Sequence, residues 1–251
     1  MLNASPDVRE QLSRLPSGPP ANGVRHVPIE GVVLTDAELD HSLGIALLRE
    51  ARHLPLYTTS AVASILEQDS RIIPVTRAFA DVPWTELPLD RVTTLRHRDG
   101  SDSGLTVEAF PVPAGPPQFA TSAPLGHTVG LLIRETSTTR ACAFVPGCGD
   151  LEAGLLERFA QADVLLFDGS FWRDDELAAA GIGTRTAREM DHLPIAGPDG
   201  SLAQLATLPC RHRVYTHINN TNPILLEQSS ERAAVVAAGL AVGYDGLQLT
   251  V

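Results

Sequence analysis

Asp36, Glu38, Asp40 and His41 put four side chains able to bind a metal within the six-residue run Asp36-Ala37-Glu38-Leu39-Asp40-His41. Carboxylate oxygen combined with imidazole nitrogen suits a divalent transition metal better than calcium, which prefers oxygen throughout. An acidic helix N-terminus, capped by Asp36 or Asp40 with His41 simply exposed, accounts for the run about as well. Three later segments carry related groups. Gly126-His127-Thr128-Val129-Gly130 sets a histidine between glycines that permit tight turns, Leu165-Leu166-Phe167 ends on Asp168, and Val214-Tyr215-Thr216 ends on His217. Each taken alone is more often a turn, a cap or a satisfied core histidine.

A second polar group, Arg185, Arg188, Glu189 and His192, lies between two expected helices. The planar guanidinium fork takes a carboxylate through two hydrogen bonds, so the group suits an acidic substrate. A solvated helix face with charge pairs at i,i+3 and i,i+4 fits it equally. Phe171 and Trp172 read as core packing. Cys142, Cys148 and Cys210 form no CxxC pair and read as reduced, mostly buried thiols.

The elements that must position these groups follow from the apolar pattern. A capped helix begins after Ser5. Gly31 to Leu34 is short, continuous and β-branched and predicts a buried strand, and helical spacing recurs from Ser42 to His53. The acidic run therefore sits in a strand-to-helix turn, a common mounting for chemistry. Leu54 to Thr58 predicts a strand and Ala61 to Glu67 a helix. Strand-like runs at 92–97, 105–111, 129–134 and 141–145 suit antiparallel hairpins or meanders. After them come a helix at 151–160, a strand at 164–167, a helix at 174–180, a strand at 214–218, a helix at 231–238 and a closing strand pair. Leu15 to Gly23 and Pro111 to Pro124 read as loops inside a single domain spanning 1–251. Such an order predicts an α+β chain with face-to-face sheets and helices outside.

A formal charge of −11 argues against general nucleic-acid binding and against anionic membrane surfaces as partners. No apolar run approaches the roughly 20 residues of a bilayer span, and the start lacks the layout of a secretory signal, so a cytoplasmic location is expected.

In their order these motifs resemble the metallo-β-lactamase superfamily, where a His-x-His-x-Asp-His turn, a Gly-His-Thr segment, a strand-end acid and a late strand-end His succeed one another. The resemblance implies an αββα four-layer sandwich. Here Asp36 and Glu38 occupy the first two His positions, Asp40 and His41 match, His127 and His217 fit the later ones, and Gly147 stands where an acid is expected. These replacements weaken a two-metal site and leave a one-metal site.

Over nearly its whole length the chain resembles the pyrroloquinoline quinone (PQQ) biosynthesis protein B family. The strings that carry this are 2–7, 36–41, Asp168-Gly169, 183–190 and, most specifically, His217-Ile218-Asn219-Asn220-Thr221-Asn222-Pro223-Ile224-Leu225. The resemblance implies an iron- and oxygen-dependent hydroxylase acting on tyrosine in a fragment of the precursor peptide. It assigns Asp40, His41 and His217 as ligands of one Fe(II), with Zn(II) as the alternative and Asp168 as a further candidate ligand. Three ligands on one face leave positions open for oxygen and substrate. Around them, Asp36, Glu38, Asn219, Asn222 and His127 are candidate catalytic or orienting residues, and Arg185, Arg188, Glu189 and His192 candidate substrate-binding ones. His127 stands where the family more usually has an acid, and Glu38 where it tends to have an amide. The alternatives are a zinc-dependent hydrolase of the wider superfamily and a non-catalytic carrier of a pathway intermediate. Expected partners are a small peptide or PQQ precursor, together with a second copy of the chain or other pathway proteins. Chains of the family begin earlier, with strands bearing a cysteine cluster for a structural zinc. The present chain is expected to be N-terminally truncated relative to them, through a misplaced start or a true loss.

Overall fold

The computed structural model describes residues 1–14 and 27–250. The loop expected over Leu15 to Gly23 lies outside the described residues. The chain divides into two compact units, one of residues 1–111 and 116–129, the other of residues 112–115 and 130–251.

In the first unit, α1 (Val8–Arg14) follows Ser5, whose Oγ accepts the Asp7 N–H at 3.2 Å. Strand β1 (Val32–Val33) leads into the acidic turn, which opens α2 (Leu39–Ser42) and then α3 (Gly44–Leu47). The single helix expected from Ser42 to His53 is thus two short pieces. The N-terminal segment packs so closely on Gly44 that a Cβ there would lie 2.2 Å from the Ser5 carbonyl oxygen. Next come β2 (Leu56–Thr58), α4 (Ser60–Ser64), a π-helical turn at Ile65–Asp69, α5 (Ile72–Arg77) and β3 (Trp84–Glu86). Strands β1, β2 and β3 pair in parallel, Val32 opposite Leu56 and Leu56 opposite Trp84. Leu34, Leu54, Leu56, Ile65 and Ile73 are fully buried and form the core of this unit. Strands β4 (Val92–Arg96) and β5 (Asp102–Pro111) make an antiparallel pair, as expected.

The second unit is built on β6 (Val129–Glu135) and β7 (Ala141–Val145), which are antiparallel; α6 (Ala153–Phe159) follows. Then come β8 (Val164–Asp168), α7 (Glu176–Ala179), α8 (Ser201–Leu205), β9 (His212–Thr216), α9 (Ser230–Ala237) and β10 (Ala241–Val242). Strands β7, β8, β9 and β10 run parallel. Parallel strands need helical crossovers, which α6 and α8 supply, and Leu165, Phe167 and Tyr215 are accordingly buried. Phe159 meets Phe167 edge to face at 5.8 Å. In place of the expected closing strand pair, the described residues show only the two-residue β10. Among the described residues no helix is long and apolar enough to cross a membrane.

Candidate metal centre

The turn after β1 is built around Asp36. Its two carboxylate oxygens lie 2.9 and 2.8 Å from His41 Nδ1. They also accept the Glu38 N–H at 2.9 Å and the Thr35 hydroxyl at 2.7 Å. Burial works against ionisation of Asp36, but the charge and hydrogen bond of His41, with the bonds from Thr35 and Glu38, outweigh it and hold the carboxyl below its ordinary range. An ionised carboxylate only accepts, so Nδ1 of His41 carries a hydrogen, and in the neutral ring Nε2 carries the lone pair. Asp40 is exposed in the first turn of α2, and the Glu38 backbone caps that helix.

The N-terminal segment clamps this turn. Asn3 exchanges bonds with Thr35, giving from Nδ2 to Oγ1 at 2.9 Å and taking the Thr35 N–H on Oδ1 at 3.0 Å. The Ala4 N–H donates to the His41 carbonyl at 2.6 Å and the Gly44 N–H to the Ala4 carbonyl at 2.8 Å. His127 belongs to the same unit. Its neighbour Thr128 forms an antiparallel bridge with Asp36, and His127 Nδ1 is 3.0 Å from the Thr128 hydroxyl.

In the second unit, Asp168 ends β8 and is wholly buried. It accepts the Ser170 N–H (3.0 Å), the Ser170 hydroxyl (2.7 Å), the Cys148 N–H (3.1 Å) and His192 Nδ1–H (2.7 Å). Four donors fill the roughly four lone-pair sites of a carboxylate. Burial opposes the ionisation of Asp168, yet the charge and hydrogen bond of His192, with His217 3.8 Å away, prevail and hold it far below the ordinary carboxylate range. His217 follows β9 in a left-handed conformation, φ 53°, which an L side chain adopts at a cost and which recurs at functional sites. Its ring stacks on His192, 5.4 Å between centroids, and its Nδ1 is 2.8 Å from Ser170 Oγ. Asp168, His192 and His217 each offer a ligand atom within 4.8 Å of the others. His217 also lies in the lining of a cleft of about 1090 Å³, with Val164, Leu166 and Val214 as apolar neighbours and Glu227 and Arg232 as charged ones.

The residues grouped from sequence as substrate-binding separate. His192 turns to Asp168. Thr186 and Glu189 form a reciprocal capping box, with Thr186 N–H on Glu189 Oε2 at 2.8 Å and Glu189 N–H on Thr186 Oγ1 at 3.1 Å, and Arg185 donates to the Glu189 carbonyl. Arg188 lines a separate hollow of about 290 Å³ with Arg173 and Asp199.

Asn222, expected to orient substrate, is 2 % exposed and committed to backbone. Its Nδ2 donates to the Gly169 carbonyl at 2.8 Å and its Oδ1 accepts the Ile224 N–H at 3.1 Å, pinning the turn after β8 to the turn after β9. Asn219 shares in this, its N–H on the Ser170 carbonyl at 3.1 Å and its Nδ2 on Thr221 Oγ1 at 2.9 Å. Ser170 and Glu176 were not singled out from sequence. Glu176 takes the Trp172 N–H at 2.6 Å and the Thr221 hydroxyl at 2.5 Å and so ties the same two turns. The faint signal for Ser170 is its place two residues after a strand-end Asp, the spacing of an Asx-turn.

A β-lactamase superfamily domain model matches residues 1–218. A coenzyme PQQ synthesis protein B from Methylobacterium nodulans is 41% identical across 99% of this chain and 82% of its own length. The crystal structure of Zn(2+)-bound PqqB from Methylobacterium extorquens superposes with a TM-score of 0.87 at 38% identity, covering all of this chain and 82% of that one. A metallo-β-lactamase fold protein from Bacillus subtilis, 12% identical, matches 98% of this chain and 85% of its own at a TM-score of 0.64, a likeness of fold alone. The chain has the metallo-β-lactamase fold and belongs to the coenzyme PQQ synthesis protein B family.

Proposed function

We propose that this chain acts in PQQ synthesis as an iron- and oxygen-dependent hydroxylase of tyrosine in a fragment of the precursor peptide, with one divalent metal held by Asp40, His41 and His217. Family membership supports the pathway. The observation that carries the metal reading is the Asp36–His41 contact, a buried carboxylate on Nδ1 that leaves the Nε2 lone pair as donor. Metal-binding histidines are commonly oriented in this way. Asp168 serves as a buried anchor and not as a ligand, because its lone-pair sites are already filled by protein donors. A ferrous ion, when bound, supplies the redox chemistry with dioxygen.

The protein's own residues have simpler tasks. Asp36 holds His41 with its hydrogen on Nδ1. Asn3, Ala4 and Gly44 keep the turn that carries both His41 and Asp40 in place. The cleft beside His217 offers apolar surface to a ring and Arg232 to an anionic end. His127, beside the Asp36 turn, is the group in this reading best placed to exchange protons there, and Arg185 and Arg188 are assigned to substrate approach.

Anaerobic loading with ferrous iron, exposure to oxygen and mass spectrometry of a glutamyl-tyrosine peptide test the proposal. Addition of one oxygen atom per peptide supports it, and no oxygen-dependent mass gain with folded, iron-loaded protein refutes it. A second reading, a zinc-dependent hydrolase, is favoured by the Zn(2+) in the Methylobacterium extorquens structure. Hydrolysis of a generic ester by the zinc-loaded chain would select it.

A further inference from the structure

Ser170 has one hydroxyl hydrogen and three acceptors around it. Its Oγ lies 2.7 Å from Asp168 Oδ1, 2.8 Å from His217 Nδ1 and 3.0 Å from the His217 carbonyl oxygen. The residue is 4 % exposed, so water does not compete freely for these contacts. The carboxylate of Asp168 has no hydrogen to give, and at 2.7 Å two oxygens without a hydrogen between them repel. The Ser170 hydrogen therefore points to Asp168. If it pointed instead to the His217 carbonyl, Nδ1 would still face only a lone pair of Oγ. In both arrangements the imidazole nitrogen must supply its own hydrogen.

We infer that Ser170 is a positioning residue that fixes His217 with its hydrogen on Nδ1 and its lone pair on Nε2, by relaying the Asp168 carboxylate to the ring. The role of the Nε2 lone pair as a metal donor rests on the metal reading above; the tautomer itself does not. The surrounding structure is built to hold the relay. Gly169 approaches β9 so closely that a Cβ would lie 2.9 Å from Tyr215 Cβ, and its N–H donates to the Thr216 carbonyl at 2.7 Å. Asn222 grips the Gly169 carbonyl from the other side. His192, held on the second oxygen of Asp168, stacks on His217 with an angle of 25° between the rings and limits its rotation. One buried carboxylate thus orients two imidazoles, His192 directly and His217 through Ser170. On the other histidine assigned to the metal, Asp36 does the same work without an intermediary.

The test is long-range 15N–1H correlation spectroscopy on metal-free, 15N-histidine-labelled full-length protein. His217→Ala assigns the signal. The expected result is an Nδ1–H, Nε2-lone-pair pattern for His217 in the wild type, lost or mixed in Ser170→Ala and restored in Ser170→Thr, which keeps the hydroxyl. Zn2+ affinity, read by chelator competition, should fall about 10- to 100-fold in Ser170→Ala and recover in Ser170→Thr. An Nε2–H pattern in the wild type overturns the proposal even if Ser170→Ala does not fold. So does a Ser170→Ala protein with unchanged His217 signals. If the tautomer behaves as expected while His217→Ala binds Zn2+ as well as wild type, the metal reading fails and the relay stands.

Discussion

His41 Nδ1 lies within hydrogen-bonding distance of both carboxylate oxygens of Asp36, 2.9 and 2.8 Å away. The two residues are five positions apart, joined across the first turn of α2, and both are buried. The carboxylate of Asp36 thereby orients the imidazole of His41.

Asp36→Asn is the sharpest probe of this pair. The amide offers one acceptor in place of two and points a donor at groups that already donate, the Thr35 hydroxyl or the Glu38 N–H. A buried donor left unsatisfied costs about 1–3 kcal/mol. Metal affinity is expected to drop roughly 10- to 100-fold through loss of the orienting partner. Urea unfolding of the metal-free protein and chelator competition separate the two effects, and an unchanged affinity would show that the contact does not serve the metal.

Gly44→Ala tests the N-terminal clamp. The new Cβ would sit 2.2 Å from the Ser5 carbonyl oxygen and 2.6 Å from that of Ala4, backbone atoms that cannot swing aside. Overpacking of this kind costs about 1–3 kcal/mol, and the upper end is expected here. A lower denaturation midpoint together with weaker metal binding would tie the segment 1–5 to the His41 turn. A stability equal to wild type would mean the segment is not held there in solution.

Why some of this was legible in sequence and some was not is clear from particular elements. Strand β7 matched its expected bounds because Ala141 to Val145 is a short apolar run closed by Pro146 and Gly147. Strand β3 was not foreseen, since all three of its residues are exposed and carry no apolar period. Helix α5 escaped because Pro74 interrupts the pattern, although proline is tolerated in a first turn. The break between α2 and α3 falls where the Gly44 N–H donates to the Ala4 carbonyl, forty positions away, which no local periodicity records. Site residues followed the same division. Asp168 and His217 announce themselves as titratable groups at strand ends, and Asp36 and His41 as a cluster in the turn after β1, whereas Ser170 gains its meaning only from the two side chains it lies between.

The cysteines predict a pH response. Burial pushes the Cys142 thiol up to about 11 and, with the nearby carboxylates of Asp168, Asp150 and Glu152, the Cys148 thiol to about 12. In the unfolded chain both ionise near their ordinary value. Above about pH 9 the unfolded state therefore sheds protons that the folded state keeps, and stability falls as pH rises through this window toward the folded values. Below it the thiols contribute no pH dependence. Unfolding followed from pH 8 to 11 should show the decline, and Cys148→Ala should flatten it. At pH 8, alkylation of Cys148 in native protein should be far slower than in urea; equal rates would contradict its burial.

Metal stoichiometry and affinity measured on the wild type beside Asp40→Ala, His41→Ala and His217→Ala test the account most directly. One divalent ion per chain in the wild type, lost in each of the three variants while their far-UV circular dichroism is unchanged, is the predicted result. Two ions per chain, or full retention of the ion in a folded His217→Ala protein, would contradict it.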